Sequence, residues 1–230
     1  MGLPRSSRLT LAAVATAAVT AAVAGGAGAA YASTPVYAAL GDSYSSGVGT
    51  DNYTASSGSC DRSPQSYAQL WATAHAVTSF DFAACSGATT TDVLNSQLAG
   101  LSAATTLVSI TIGGNDVGFA TVMTDCNLSS DSACLSEIQS SEASAQNTLP
   151  AKLDSTYAAI RQHAPNASVV VLDYPHLFQT GSCFTTLDST KRTALNQAAD
   201  VLDGVIQAAV GRAGFTFADA RSRFAGHGVC

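Results

Sequence analysis

Residues 38–47 read Ala-Ala-Leu-Gly-Asp-Ser-Tyr-Ser-Ser-Gly, an apolar strand that runs directly into a Gly-Asp-Ser turn. The strand begins near Val36, and its unbroken apolar character is typical of a strand buried on both faces of a parallel sheet. Ser43 follows this strand at once. Backbone N–H groups and the field of a following helix favour a nucleophile or an anion at such a position. The stretch therefore predicts a serine placed for chemistry at the end of the first strand.

The rest of the chain alternates strand and helix patterns. Further strand patterns occur at Thr78–Ala83, Leu107–Ile112, Ala167–Asp173 and Phe215–Ala218. Helical patterns occur at Gln65–His75, at Thr91–Leu98, from the Asn115-Asp116 turn, from about Glu137 to His163 with Pro150 as a candidate break, and from about Asp188 to Val210, ending at Gly211. Cys126–Cys134 encloses a short Ser/Asp-rich loop. This order predicts an α/β fold with right-handed crossovers and a parallel sheet between layers of helices.

Three loops follow predicted strands and contain groups suited to one site. Ser43 supplies a hydroxyl, Gly87 a backbone N–H in the run Ala-Ala-Cys-Ser-Gly-Ala-Thr-Thr-Thr of residues 83–91, and Asn115 a side-chain amide in Gly-Gly-Asn-Asp. Taken singly, the last two are also typical of an ordinary turn and a helix cap. Because ligands bind at the carboxyl ends of parallel strands, we expect all three groups on one rim of the sheet.

The Gly-Asp-Ser turn by itself leaves two interpretations open. The Ser/Thr-rich stretch after Gly41 also suits a phosphate site of a flavodoxin-like cofactor binder. The nucleophile elbow G-x-S-x-G is not met, because Ser45 stands where its second glycine belongs. The three loops together, in this order, favour a serine hydrolase.

Residues 1–32 have the pattern of an export signal. Arg5 and Arg8 precede an apolar stretch from Leu9 to Ala24, and Ala30-Tyr31-Ala32 is an A-x-A cleavage site. An N-terminal membrane anchor is the alternative, which the weakly hydrophobic, glycine-broken run disfavours. We expect a mature protein of residues 33–230 that is secreted and is not stably inserted in a membrane.

The mature chain of about 200 residues is long enough for one domain with a core. Loss of Arg5 and Arg8 lowers the formal charge from −6 to about −8. An acidic surface repels phosphate backbones, so no nucleic-acid partner is expected. Nothing in the pattern requires more than a monomer.

All six cysteines lie in the exported part, which indicates disulfides in an oxidising compartment. They are Cys60, Cys85, Cys126, Cys134, Cys183 and Cys230. Six cysteines allow 15 pairings, of which the sequential one is the simplest. Zinc is the rival interpretation, but the chain has no C-x-x-C or clustered His/Cys spacing, so we expect no metal and no other cofactor.

The three motif blocks resemble those of the SGNH (GDSL-type) hydrolases, and the chain closely resembles the secreted lipases, esterases and phospholipases of streptomycetes and related actinobacteria. The similarity extends from about Thr34 to Cys230. It implies a three-layer α/β/α sandwich with a flavodoxin-like sheet and hydrolysis of a small-molecule or lipid ester. It assigns the nucleophile to Ser43 and the oxyanion hole to the Ser43 N–H, the Gly87 N–H and the Asn115 side chain. The order of the cysteines is also similar, which supports sequential pairing.

The histidine block of that family has no clear counterpart here. His75 and His163 lie in or at the end of predicted helices, and His176 follows the fourth strand away from the family position of the base. His227 is a weak candidate, because Phe224 occupies the position of the aspartate in the D-x-x-H pair. In the relatives that this segment resembles, the catalytic histidine follows the corresponding cysteine, so the resemblance implies a base beyond residue 230. We therefore expect the hydrolase domain to lack its C-terminal block and residues 33–230 to be nearly inactive.

Two further functions remain open alongside a lipase or esterase. The same family fold serves exported carbohydrate deacetylases, and a relative that lacks the base would be a non-catalytic secreted protein. Cleavage of long acyl chains would distinguish a lipase from a deacetylase of acetylated glycans. Absence of activity in the natural gene product would distinguish the non-catalytic protein from both enzymes.

Overall fold

A five-stranded parallel sheet forms the centre of the computed structural model, which describes Met1 and residues 34–230. The strands are β1 (Val36–Gly41), β2 (Ser79–Phe82), β3 (Leu107–Thr111), β4 (Ser168–Leu172) and β5 (Thr216–Ala218). Their order is β2-β1-β3-β4-β5, and all neighbours pair in parallel. The expected α/β fold with a parallel flavodoxin-like sheet is confirmed. The proposed export signal lies outside the described residues.

Helices connect the strands and cover both faces of the sheet. They are α1 (Ser43–Ser46), α2 (Tyr67–Ala74), α3 (Thr90–Asp92), α4 (Phe119–Leu128), α5 (Asp131–Asn147), α6 (Leu149–His163), α7 (Ser189–Ala213) and α8 (Arg221–Phe224). A π-helical turn, Val93–Gln97, continues α3, and short 3₁₀ segments occupy Ala55–Cys60 and Asn115–Val117. Among the helices of residues 34–230, none is both long and apolar enough to cross a membrane.

The alternation of side chains along β1 divides the core in two. Tyr37 and Ala39 pack against α2 on one face, in contact with Ala68 and Ala72. The residue between them, Ala38, belongs with Leu40 to the larger cluster on the other face, which includes side chains of α6 and α7. Successive strand residues point to opposite faces, so a strand as apolar as β1 needs cover on both sides. The three-layer sandwich follows from this pattern.

Three assignments made from the sequence need correction. The predicted loop between Cys126 and Cys134 is mostly helical, because Cys126 lies in α4 and Cys134 in α5, with only residues 129 and 130 between the helices. Ser130 caps α5 by accepting a hydrogen bond from the Ala133 N–H, so the Ser/Asp-rich composition marks a helix start rather than a loop.

The long helices also differ at their ends. The helix predicted from about Glu137 begins earlier, at Asp131, and breaks between Asn147 and Leu149, next to Pro150. Proline is tolerated in the first turn of a helix, which is where Pro150 lies in α6. Helix α7 ends at Ala213 and not at Gly211, and Gly214, which adopts a left-handed conformation, caps it.

The cysteines form three disulfides, and none of the described cysteines is free. The pairs are Cys60–Cys85, Cys126–Cys134 and Cys183–Cys230. The sequential pairing is therefore confirmed. The first pair joins the loop after α1 to the loop after β2, close to the predicted site.

Candidate active site

Gly41 ends β1 in a conformation that requires glycine. Its φ is +115°, and a Cβ there would lie 2.2 Å from the Thr111 carbonyl oxygen. The buried Gln97 side chain fixes this residue from both sides, because the Gly41 N–H donates to Oε1 at 2.7 Å and Nε2 donates to the Gly41 carbonyl at 2.9 Å. The turn that presents Ser43 therefore starts from a fixed backbone.

The Asp42 carboxylate is buried behind Ser43 and caps α1. It accepts hydrogen bonds from the Tyr44 N–H at 3.1 Å, from the Thr111 hydroxyl at 2.7 Å and from the Tyr174 hydroxyl. Burial raises the pKa of Asp42 to about 6, and these hydrogen bonds oppose the shift. Asp42 is thus a structural anchor for the turn, with its side chain pointing away from solvent.

Ser45 occupies the position of the second glycine of the elbow motif, and its side chain has a structural role there. Its buried hydroxyl accepts a hydrogen bond from the Thr111 N–H at 3.0 Å and lies 2.9 Å from the Tyr67 hydroxyl. The side chain thereby joins the Ser43 turn to the end of β3 and to α2. A serine at this position supplies contacts that a glycine would not.

Asn115 lies beside the loop that contains Gly87. The Asn115 side-chain N–H₂ donates one hydrogen bond to the Ala88 carbonyl at 2.9 Å. A carboxamide nitrogen has two hydrogens, so one of them is not used by this bond. Gly87 is exposed and has a left-handed φ of +78°, a conformation that favours glycine.

The neighbouring Asp116 fastens the same two loops together. It accepts hydrogen bonds from the Thr90 N–H at 2.8 Å and the Thr90 hydroxyl at 2.7 Å, and pairs with Lys152 at 3.1 Å. The Cys85 N–H donates to the Gly41 carbonyl at 3.0 Å. The loops with Ser43, Gly87 and Asn115 are therefore joined by direct hydrogen bonds.

The position of these loops in the sheet is a common place for a ligand. They follow β1, β2 and β3, and the chain order reverses between β1 and β3. Ligands of open parallel sheets bind at such a topological switch point, outside the carboxyl ends of the strands. Ser43 lines a solvent-open cleft there, together with Tyr44, Val48, Pro175, Leu177 and His227.

The histidines differ in their relation to this cleft. His176 and His227 both line it, whereas His163 ends α6 and the His75 ring bonds the Trp71 carbonyl. His176 Nε2 lies 2.9 Å from Asp200 in a half-exposed pair. His227 is exposed, and its ring has no hydrogen-bond partner within residues 34–230.

Two buried acidic side chains, those of Asp173 and Asp203, share one arginine. Arg221 Nε lies 3.1 Å from Asp173 and 3.6 Å from Asp203. Burial raises the pKa of Asp203 to about 7. The Asp173 carboxylate adds to that shift, while the Tyr174 N–H and Arg221 oppose it.

Sequence reasoning missed three residues that position the candidate site. Gln97 bonds the Gly41 backbone, and Thr111 bonds the Asp42 carboxylate. Tyr174 bonds both the Asp42 carboxylate and the Gly114 N–H. Tyr174 lies just after β4, so the rule that placed Ser43 and Asn115 at strand ends applies to it as well. Gln97 lies in a helical turn, and no local pattern marks it.

Residues 39–229 match the GDSL-like lipase/acylhydrolase family. The chain belongs to that family. It is 54% identical to Lipase 1 of Streptomyces coelicolor over 194 residues, which are 84% of this chain and 72% of the relative. Members of this family are ester hydrolases, so the chain is a carboxylic-ester hydrolase by family.

Two solved structures of the family are similar throughout the described domain. The phospholipase A1 of Streptomyces albidoflavus NA297 superposes with a TM-score of 0.84 at 48% identity, covering 86% of this chain and 84% of that one. The extracellular lipase of Streptomyces rimosus gives a TM-score of 0.83 at 53% identity, covering 84% and 83%.

Proposed function

We propose that the protein is a secreted serine ester hydrolase of the lipase or esterase type, in which Ser43 is the nucleophile. The observation that carries the proposal is the direct hydrogen bonding of the Ser43, Gly87 and Asn115 loops at the switch point of the sheet. The substrate is a small-molecule or lipid ester, and the protein acts as a monomer without stable insertion in a membrane. Three disulfides and an extracellular relative support secretion.

In the proposed reaction, Ser43 Oγ attacks the ester carbonyl carbon and its proton passes to a general base. The tetrahedral oxyanion accepts hydrogen bonds from the Ser43 N–H, the Gly87 N–H and the second hydrogen of the Asn115 amide. The C–O bond to the alcohol then breaks, the alcohol takes up the proton, and the acyl group stays on Ser43. Water attacks this acyl-enzyme and releases the acid.

The oxyanion donors are held before the substrate arrives. Asn115 is fixed through Ala88, and the Ser43 backbone is fixed by the capping of α1 by Asp42. Donors that need no rearrangement stabilise developing charge more effectively than water does. This preorganisation is the contribution we assign to the hydrogen-bonded loops.

Covalent labelling tests the nucleophile. A fluorophosphonate forms a bond between phosphorus and an activated serine oxygen and releases fluoride, so we expect a single adduct that peptide mass mapping locates at Ser43. Ser43→Ala abolishes the adduct, whereas Ser59→Ala, at an exposed serine, retains it. An adduct at another serine of the folded protein would refute the assignment.

A further inference from the structure

Residues 224–229, here called the cleft wall, form one side of the Ser43 cleft. Phe224, His227 and Val229 line the cleft together with Ser43. Phe224 is also the last residue of α8, so the cleft wall continues directly from that helix. The position of α8 therefore affects the shape of the space in front of Ser43.

Helix α8 is not held in place by apolar burial. It lies wholly in the described part of the chain, and none of its four residues is buried. Phe224 is 49% exposed, and residues 222–227 are exposed throughout. Most helices of a domain are held by packing of an apolar face, which α8 does not have. Polar contacts must therefore position it.

Arg221, the first residue of α8, contacts carboxylates from three parts of the fold. Its Nε atom lies 3.1 Å from Asp173, directly after β4, and 3.6 Å from Asp203 on α7. The same atom lies 3.7 Å from Asp219, before α8, and Nη1 lies 3.0 Å from Asp200 on α7. A planar guanidinium has donors in several directions, so it can bridge acids that a lysine, as a point charge, cannot.

The two buried acids depend on this arginine. The Oδ2 atoms of Asp173 and Asp203 are buried, and neither takes part in a hydrogen bond within residues 34–230. A buried carboxylate is costly unless a cation balances it, so the pair holds the guanidinium at the end of β4. The Ala220 N–H also donates to Asp173 Oδ1 at 2.6 Å. The start of α8 is thus fixed at two adjacent residues.

The other end of the cleft wall is attached separately. The Val229 N–H donates to the Leu177 carbonyl, and the next residue, Cys230, is bonded to Cys183. Loss of the Arg221 contacts would therefore release the cleft wall at its α8 end while the Val229 end stays bound.

We propose that Arg221 is a positioning residue for ester binding, because it fixes α8 and thereby holds Phe224 and His227 beside Ser43. The inference rests on the proposed function, since it takes the Ser43 cleft as the ester site. Arg221 does not itself line that cleft and acts through the cleft wall. An ester that packs against the wall is held equally in the ground state and the transition state, so the wall affects KM and not kcat.

Hydrogen–deuterium exchange tests the attachment of α8 without catalysis. In Arg221→Gln we expect the amides of residues 220–227 to exchange about tenfold faster or more, since local opening exposes them to solvent. The Val229 N–H keeps its protection. Arg223→Gln, at an exposed arginine of the same helix, leaves both unchanged. If Arg221→Gln does not fold, Arg221→Lys keeps the charge without the fork and gives a smaller change of the same sign.

Steady-state kinetics test the effect on the cleft. With slow turnover KM approaches the dissociation constant, and for p-nitrophenyl butyrate we expect Arg221→Gln to raise KM about threefold or more with kcat changed by less than about twofold. Arg223→Gln keeps both constants.

Three results would overturn the positioning role in folded Arg221→Gln. They are unchanged exchange of residues 220–227, faster exchange with unchanged KM, and a fall in kcat at constant KM, which would mean that Arg221 acts on the Ser43 turn. Faster exchange in a protein that a fluorophosphonate labels at a serine other than Ser43 would keep the attachment of α8 by Arg221 and refute the proposed function.

Discussion

The Tyr174 hydroxyl donates a hydrogen bond to the Asp42 carboxylate and accepts one from the Gly114 N–H at 3.1 Å. One side chain after β4 thus connects the Ser43 turn after β1 to the Asn115 loop after β3. Burial and the adjacent Asp42 carboxyl raise the pKa of Tyr174 well above its ordinary value, so the hydroxyl stays a donor. The relative position of Ser43 and Asn115 depends on this buried connection.

Tyr174→Phe removes the connection and keeps the ring. We expect the free energy of unfolding to fall by about 1–3 kcal/mol, because the Asp42 carboxylate and the Gly114 N–H each lose a buried partner. We also expect kcat to fall with little change in KM, since Tyr174 holds the two loops in their reactive arrangement. Urea denaturation and steady-state kinetics measure the two effects.

Tyr157→Phe is the matched control. Tyr157 is also buried, but its hydroxyl has no hydrogen-bond partner among the residues that the structure describes. Removal of that hydroxyl therefore leaves no group unsatisfied, and we expect both stability and kcat to stay near wild type. Equal losses in the two variants would show that Tyr174 has no special positioning role.

Asn115→Ala tests the oxyanion hole. Loss of one such donor costs about 10²–10³ in kcat, and we expect a fall of that size with KM little changed. Asn147→Ala is the control, because Asn147 also donates to a backbone carbonyl, at 2.8 Å, but lies exposed on α5. An unchanged kcat in Asn115→Ala would remove Asn115 from the oxyanion hole.

The sequence predicted the strands and the three loops because their signals are local. An apolar run that ends in Gly-Asp-Ser or Gly-Gly-Asn-Asp marks a strand end and its turn within a few residues. Gln97 gave no such signal, because it meets Gly41 across 56 residues of chain. Tyr174 lies at a strand end, but nothing local shows that it meets Asp42, which is 132 residues away in the chain. The α4–α5 junction was missed for a different reason: serine and aspartate favour both loops and helix N-termini, and only the fold distinguishes the two.

Asp203 gives the protein a pH dependence of stability. Its pKa is raised to about 7 in the folded state, so the folded protein holds a proton that the unfolded chain loses near its ordinary pKa of 3.8. Stability from this group is full below about pH 4 and is lost as the pH rises to about 7, with a slope of at most about 1.4 kcal/mol per pH unit. Asp203→Asn keeps the acceptor for the Tyr174 N–H at 3.0 Å and removes the titration. We expect its unfolding free energy, measured by urea denaturation from pH 4 to 8, to vary less than that of wild type; parallel curves would contradict the prediction.

The identity of the general base is open to a direct test with the two histidines of the Ser43 cleft. A catalytic imidazole is normally oriented by a hydrogen-bond acceptor, which the His227 ring lacks within residues 34–230. His176 has Asp200 as a partner, but Arg221 bonds the same Asp200 oxygen at 3.0 Å. Neither histidine is therefore held as a base against Ser43. We expect the wild-type protein to hydrolyse p-nitrophenyl butyrate slowly. We expect His176→Ala and His227→Ala each to change kcat/KM by less than about threefold. His75→Ala, remote from the cleft, is the control. A loss of about 100-fold in one cleft variant, with its fold retained, would identify that histidine as the base.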